Sequence, residues 1–181
     1  MFGIQKRSGY SPSAKKIIDK YKDEIIVNVR VARTPINSMI QKIMDTISSS
    51  PYDTLFHLRL QLITKTGKKI TVEKNEVIKI KTGFRKDKGD EFQSIAKSWN
   101  VPFKEFLLNA EKQMGSKKYF MYSSKDSNCQ NYVTNLLTAN GYSDPTVLGF
   151  INQPTDAIFK GNVLLRKFTN ATTDLGAKVD V

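Results

Sequence analysis

The chemistry of this chain starts from its only cysteine, Cys129, in residues 127–140, SNCQNYVTNLLTAN. Apolar side chains recur there at spacings of three and four, which predicts a helix that Ser127 or Asn128 caps and Gly141 ends. A thiol at a helix N-terminus faces free backbone N–H groups and the positive end of the helix dipole, which favour the nucleophilic thiolate. The same N–H groups could stabilise an oxyanion beside the sulfur. The segment therefore predicts a cysteine nucleophile, although a lone cysteine is more often a buried apolar side chain.

A candidate base for this thiol is His57, the only histidine in the chain. It lies in residues 54–64, TLFHLRLQLIT, where leucines alternate with polar residues as on a half-buried strand. An imidazole within reach of the thiol could remove its proton and later protonate a leaving group. The alternative is an exposed or hydrogen-bonded strand histidine without a catalytic role. Together His57 and Cys129 predict nucleophilic attack on a carbonyl carbon.

A third group, one that orients the histidine, is expected on the strand that returns from a hairpin. If Thr66 and Gly67 are the two central turn residues, counting outward along both strands places His57 opposite Glu76. A carboxylate there would fix the imidazole tautomer and stabilise its charged form. A register slipped by one brings an amide opposite instead, and residue 73 falls on the other face unless a bulge intervenes. The candidates, in order of preference, are Glu76, Glu73 and Asn75. The alternative is that these residues form a solvated turn or edge strand.

The order and motifs of these elements resemble the circularly permuted papain-like fold of the NlpC-like superfamily. That group contains lecithin:retinol acyltransferase, the small phospholipid acyltransferases and the PPPDE peptidases, in which the histidine precedes the cysteine. Their cysteine motif, NC(E/N)HF followed by a helix, is similar to NCQNYV at residues 128–133, and FHLRLQL, a hairpin and VEKNEVIKI match the preceding elements. The resemblance covers roughly residues 54–141 and extends to uncharacterised viral members. It implies an α+β fold in which an antiparallel sheet packs against a cysteine-bearing helix.

The resemblance implies the chemistry of a thiol hydrolase or acyltransferase, which needs no metal and no organic cofactor. Cys129 would attack an ester, thioester or amide carbonyl, and water or an acceptor would release the acyl group. The oxyanion would be stabilised by the backbone N–H of Cys129 together with Asn128 or Gln130. The acyltransferases often carry a second histidine across the hairpin, and this chain has Asn131-Tyr132 in place of their His-Phe. The choice between a lipid acyl and a peptide substrate therefore does not carry over.

The composition describes a folded, basic chain. Its 181 residues include 39% hydrophobic residues, enough for one domain with a real core. The formal net charge of +12 attracts polyanions such as an anionic membrane surface, an acidic partner or nucleic acid. No zinc spacing, arginine-rich run or aromatic RNA-binding motif supports the last of these. The single cysteine excludes an internal disulfide and indicates a cytoplasmic or other reducing compartment, and no secretory signal or membrane span is found.

Further elements are expected around this site. Apolar periodicity predicts helices over residues 12–22, 35–48, 90–99 and 102–115, strands over 24–32, 68–81, 118–123 and 162–168, and a turn at 147–151. The expected organisation is an N-terminal extension over 1–53, a catalytic core over 54–168 and a tail over 169–181. These parts are expected to form one compact domain.

A second interpretation is a non-catalytic, basic structural or virion-associated protein that keeps a papain-like fold. Such a protein would bind an acidic partner, a membrane or nucleic acid, and Cys129 and His57 would be packing residues. The thiol separates the two interpretations. A nucleophile has a lowered pKa that depends on His57, whereas a packing thiol keeps a pKa near the unperturbed value of about 8.5.

Overall fold

The computed structural model describes residues 9–35, 56–75, 77–121 and 129–152, which form a mixed α+β fold with an antiparallel sheet. The helices in these ranges are α1 (Pro12–Tyr21), α2 (Phe103–Met114), α3 (Ser116–Phe120), α4 (Cys129–Thr138) and α5 (Pro145–Ile151). The strands are β1 (Ile25–Pro35), β2 (Phe56–Thr64), β3 (Lys69–Lys74), β4 (Ile78–Thr82), β5 (Glu91–Ser94) and β6 (Val101–Pro102).

The sheet has the strand order β4-β3-β2-β1-β5, and the short strand β6 also pairs with β1. All of these pairings are antiparallel. Leu60 of β2 lies opposite Val31 of β1 on one side and opposite Val72 of β3 on the other. The strand that carries His57 is therefore the central strand and is held from both sides.

One face of the sheet carries the hydrophobic core. Leu58, Leu60 and Leu62 alternate along β2 and are buried, as period-two side chains on one face should be. Three helices supply the opposing apolar residues, which are Ala14 and Ile18 of α1, Phe103, Phe106 and Leu107 of α2, and Tyr132, Val133, Leu136 and Leu137 of α4. Full burial of one such side chain stabilises the fold by about 1.5–3 kcal/mol. The apolar stripe of α4 thus fixes the helix that begins at Cys129.

The opposite face of the sheet is polar and lies under the loop of residues 83–90. Arg59 and Gln61, both on β2, donate hydrogen bonds to the carbonyl oxygen of Arg85 at 3.3 and 3.2 Å. Arg59 also forms a buried ion pair with Asp90 at the end of this loop. These contacts anchor the loop to the strand that carries His57.

The hairpin between β2 and β3 has a three-residue loop, residues 65–67, where a two-residue turn was predicted. The N–H of Thr64 donates to the carbonyl of Lys68 at 2.9 Å, and the N–H of Gly67 donates to the carbonyl of Thr64 at 2.8 Å. Gly67 has a φ of +80°, the left-handed conformation that closes a three-residue hairpin loop. The third loop residue moves the register of the whole hairpin by one position.

The observed register pairs Arg59 with Glu73, so the same count places His57 level with residue 75. Positions 73 and 75 lie on one face, because side chains alternate along a strand. The predicted placement of Glu73 on the face opposite His57 was therefore wrong, and the register predicted for the hairpin was off by one residue.

Several of the other predicted elements are confirmed. They are the helices over 12–22 and 102–115 and the strands over 24–32, 54–64 and 68–81, the last of which is divided between β3 and β4. The predicted strand over 162–168 and residues 36–48 of the predicted helix over 35–48 lie outside the described residues, and Pro35, the first residue of that helix, instead ends strand β1.

Three other predicted elements differ from the structure. Residues 91–94 form strand β5 and not a helix, because they pair with β1, for example Phe92 with Ala32. Residues 116–120 form helix α3 and not the beginning of a strand, and residues 145–151 form helix α5 where only a short turn was expected. Pairing with a neighbouring strand outweighs local helical propensity in the first case.

Candidate active site

Helix α4 places Cys129 at its first residue, beside the end of the ladder between β2 and β3. The register of that ladder ends at Arg59–Glu73. One residue further along β2, the backbone N–H of Leu58 donates to the sulfur of Cys129, and the N–H of Cys129 itself does the same. The sulfur is thus held where two strands stop pairing and a helix begins.

His57 bonds groups on two different elements. Its Nε2 atom donates to the Oε2 atom of Glu73 on β3 at 2.9 Å, and its ring also forms a hydrogen bond with Cys129 on α4. Because Glu73 occupies Nε2, the nitrogen left for the thiol is Nδ1. The three side chains form a thiol–imidazole–carboxylate chain, in which the carboxylate fixes the imidazole tautomer.

The pKa values of the three groups shift in the directions that favour an ion pair. Burial raises the pKa of Cys129, but the hydrogen bond to His57, the charge of His57 and the two backbone N–H groups outweigh it, and the thiol pKa is lowered. Burial lowers the pKa of His57, but hydrogen bonds to Cys129 and Glu73 outweigh it and raise this pKa to about 10. Burial raises the pKa of Glu73, but the hydrogen bond to His57 and nearby positive charges lower it to about 2. All three shifts therefore favour an ion pair between the thiolate of Cys129 and the imidazolium of His57, with Glu73 ionised beside them.

The site is shielded from solvent on the Glu73 side and open at the imidazole. The side chain of Glu73 is 6% exposed and that of His57 is 21% exposed, and Cys129 is half-buried. Arg85 and Lys79 contribute positive charge near Glu73. The buried carboxylate of Glu73 therefore interacts with His57 and not with water, while the imidazole and the thiol remain accessible to solvent.

The structure brings together Cys129, His57 and Glu73, which was second among the predicted orienting residues. Asn75, the third candidate, is half-buried beyond the end of β3, where its N–H donates to the carbonyl of Val77 at 3.1 Å. Gln130, a predicted oxyanion donor, is 5% exposed within α4. The first orienting candidate, Glu76, and the other oxyanion candidate, Asn128, lie outside the described residues.

Sequence reasoning missed a buried lysine beside this site. Lys74 follows Glu73 on β3 and is fully buried. Its ammonium donates to the carbonyl oxygens of Lys118 and Tyr119, at 3.1 and 2.6 Å, and lies 5.5 Å from the centre of the Tyr132 ring. Lys74 thus links the end of α3 to the first turn of α4. The signal was present in the sequence, because Lys74 continues the alternating row of Ile70 and Val72 into the core.

The burial of Lys74 makes a prediction about stability. Burial lowers the pKa of Lys74 from 10.5 to about 8. Between these values the unfolded chain binds more protons than the folded chain, so the free energy of unfolding rises with pH there. We expect the parent to gain about 3 kcal/mol relative to a Lys74→Met variant between pH 8 and pH 10.5. Urea unfolding of both proteins at the two ends of this range measures the difference.

His57 does not confound that comparison. Its raised pKa gives a pH dependence of opposite sign, since its contribution is lost as pH rises toward about 10, but it is present in both proteins and cancels in their difference. A difference in unfolding free energy that stays constant with pH would contradict a buried, protonated Lys74.

Comparison with protein-family models, with curated proteins and with solved structures finds no match for the chain. Among the described residues, none of the helices is long and apolar enough to cross a membrane. Within the same ranges, no group of three or more histidine, cysteine, aspartate or glutamate side chains is placed to hold a metal ion. The geometry of Cys129, His57 and Glu73 is therefore the basis on which a function is argued.

Proposed function

We propose that this protein is a cysteine-dependent hydrolase or acyltransferase that acts on an ester, thioester or amide. The observation that carries the proposal is the chain of hydrogen bonds from Cys129 through His57 to Glu73 at a helix N-terminus. A packing histidine needs a single partner, whereas this one has a thiol on one side and a buried carboxylate on the other. That arrangement is the one by which proteins activate a nucleophile.

In the proposed reaction, Nδ1 of His57 takes the thiol proton and the sulfur of Cys129 forms a bond to the carbonyl carbon. The backbone N–H of Cys129, which lies at the start of α4 and donates to the sulfur before the reaction, stabilises the oxyanion once it forms. The bond to the leaving group then breaks, and His57 returns the proton to that group. Water or an acceptor alcohol or amine, deprotonated by His57, attacks the thioester and regenerates the thiol. Glu73 stabilises the imidazolium throughout and does not itself exchange the proton.

The proposal includes the permuted papain-like fold. Three features support it: the histidine lies on a strand that opens a hairpin, it precedes the cysteine in the chain, and the cysteine begins a helix. Apolar residues of that helix and of the central strand share one core. The same resemblance leaves lipid acyl groups and peptide or isopeptide bonds as alternative substrates.

The rate of alkylation by iodoacetamide, measured against pH, tests the proposal. The reagent reports one residue, since Cys129 is the only cysteine. We expect the parent thiol to react with a pKa below the unperturbed value of about 8.5, because His57 and two backbone N–H groups favour the thiolate. In a His57→Ala variant we expect this pKa to rise, because the burial of Cys129 is then opposed only by the backbone donors.

Urea-unfolded protein provides the control, since its thiol should titrate near the unperturbed value in both sequences. Unchanged thermal stability of the variant would exclude a general loss of structure. A thiol that is inert in the folded protein, unaffected by the substitution and reactive only in urea would overturn the proposal. That result would favour the non-catalytic, basic binding protein.

A further inference from the structure

The polar face of the sheet carries a row of alternating cations and aromatic rings. The ammonium of Lys69 lies 5.6 Å from the centre of the Phe84 ring, and the guanidinium of Arg30 lies 5.0 Å from the same ring. Arg30 also lies 4.6 Å from the ring of Phe92. We name this set, Lys69, Phe84, Arg30 and Phe92, the cation–aromatic row. It crosses the sheet from β3 through the loop to β1 and β5.

The cation–aromatic row is held in place by the fold. Arg30 is bonded through Nε to the side chain of Gln61 on the neighbouring strand. Phe84 belongs to the loop that Arg59 and Gln61 anchor through the carbonyl of Arg85. The row is thus ordered before any ligand arrives, which reduces the entropy lost on binding.

Both ends of the row are open to solvent. The side chain of Phe92 is 38% exposed, which makes it one of the few large exposed apolar residues among those the structure describes, and Lys69 is exposed as well. A ring that has a guanidinium on one face and solvent beside it can accept a second flat group. Isolated exposed apolar residues are common on proteins, but an exposed ring that an arginine guanidinium holds by a cation–π contact is less common.

The charge around the row is positive, because nearby acidic side chains already bond cations. Asp90 pairs with Arg59, Asp87 with Arg85, and Glu91 with Arg33. The loop adds two exposed lysines, Lys86 and Lys88. The chain as a whole has a net charge of +12. A ligand at this surface should therefore be an anion that also presents flat, unpaired ring systems.

We infer that the cation–aromatic row binds single-stranded nucleic acid, with a base stacked on Phe92 and phosphates held by Arg30 and Lys69. Interleaved aromatic rings and cations are the features by which proteins bind single strands without sequence preference. A lipid surface or an acidic peptide would use the cations and would gain little from a stacked Phe–Arg–Phe arrangement. A duplex keeps its bases stacked on one another and cannot use Phe92 in this way. The inference does not involve Cys129 or His57 and is independent of the proposed function.

Fluorescence anisotropy with a fluorescein-labelled, mixed-sequence 20-nucleotide DNA strand tests the inference. We expect Phe92→Ala to weaken binding about 5-fold or more, because the stacking contact is lost without a change of charge. We expect Lys69→Gln to reduce the slope of log affinity against log salt by about 0.7, the value for one phosphate contact on a single strand. Lys69 is exposed, so this second variant tests the surface even if Phe92→Ala is less stable.

The matched control is Lys15→Gln on α1, an exposed lysine of the helix that packs against the apolar core on the other face of the sheet. It removes the same charge, and we expect the dissociation constant to stay within about 2-fold of the parent. Equal effects of Lys69→Gln and Lys15→Gln, with none for Phe92→Ala, would overturn the inference in favour of diffuse charge attraction. It would also be overturned by equal affinity for duplex DNA, by the absence of binding, or by a Phe92→Ala loss seen only with phosphatidylserine vesicles.

Discussion

A Glu73→Gln variant should lose between about 10²- and 10⁴-fold in kcat/KM toward an activated ester such as p-nitrophenyl acetate. The amide has nearly the same shape and can still bond Nε2 of His57, but it carries no charge. Cys129 and Glu73 together raise the pKa of His57 to about 10, and the imidazolium then loses the contribution of the buried carboxylate. A lower pKa of His57 weakens the ion pair with Cys129, so the thiol pKa should rise in the same variant. A pH profile of alkylation measures this second effect without a substrate.

Two neighbouring substitutions are controls for Glu73→Gln. Asn75→Ala removes a polar side chain two residues after Glu73. Glu76→Gln makes the same chemical change at the residue that the sequence alone favoured as the orienting carboxylate. We expect both to keep kcat/KM within about 3-fold of the parent, since Nε2 of His57 already bonds Glu73. If Glu76→Gln abolished activity and Glu73→Gln did not, the assignment of Glu73 as the orienting residue would be wrong.

The elements that carry Cys129 and His57, the two groups proposed to react, could be predicted from the sequence because each depends on a local pattern. Cys129 begins an amphipathic helical stripe, and His57 lies on an alternating strand, so both elements follow from side-chain periodicity. Glu73 could be named as a candidate for orienting His57, but it could not be ranked above Glu76. That ranking depends on whether the hairpin loop has two residues or three. The segment Lys-Thr-Gly fits either loop, and the left-handed conformation of Gly67 decides between them only in the folded chain.

The wrong prediction of a helix after Asp90 has a physical cause. A tertiary contact uses a side chain to which the local sequence assigns a different role. Asp90 has the chemistry of a helix N-cap, and a helix was predicted after it. In the structure its carboxylate accepts hydrogen bonds from Arg59, Thr34 and the N–H of Asp87, and the residues that follow pair with β1 as strand β5. A buried arginine on a distant strand cannot be inferred from the sequence around Asp90.

An Asp90→Asn variant, which disrupts this network, should lose about 3–5 kcal/mol of unfolding free energy. The side chains of Arg59 and Asp90 are 1% and 0% exposed, so removing the carboxylate charge leaves the buried guanidinium with only its longer contact to the partly exposed Asp87. Hydrogen bonds from Thr34, Arg59 and the N–H of Asp87 hold the pKa of Asp90 below its ordinary value despite the opposing effect of burial. Urea unfolding at neutral pH measures the loss.

Asp87→Asn is the matched control, since Asp87 lies 3.6 Å from the same guanidinium and is 31% exposed. A partly exposed pair contributes about 0–1 kcal/mol, so this variant should be close to the parent. Equal losses for the two variants would contradict the burial argument. A double variant, Arg59→Met with Asp90→Leu, should recover most of the stability, because a buried ion pair replaced by apolar side chains of similar volume is often neutral or stabilising.

The pH dependence of this difference identifies the charge as its cause. Because the folded-state pKa of Asp90 is lowered, its contribution is complete above the unfolded-state pKa of about 3.9 and is lost as pH falls through the folded-state pKa. The difference between the parent and Asp90→Asn should therefore shrink in acid, where the parent carboxyl is itself protonated. Arg59 is also the cross-strand partner of Glu73 and lies two residues from His57. If the recovered double variant keeps the low thiol pKa, the ion pair stabilises the fold alone; if that pKa rises, the pair also positions His57.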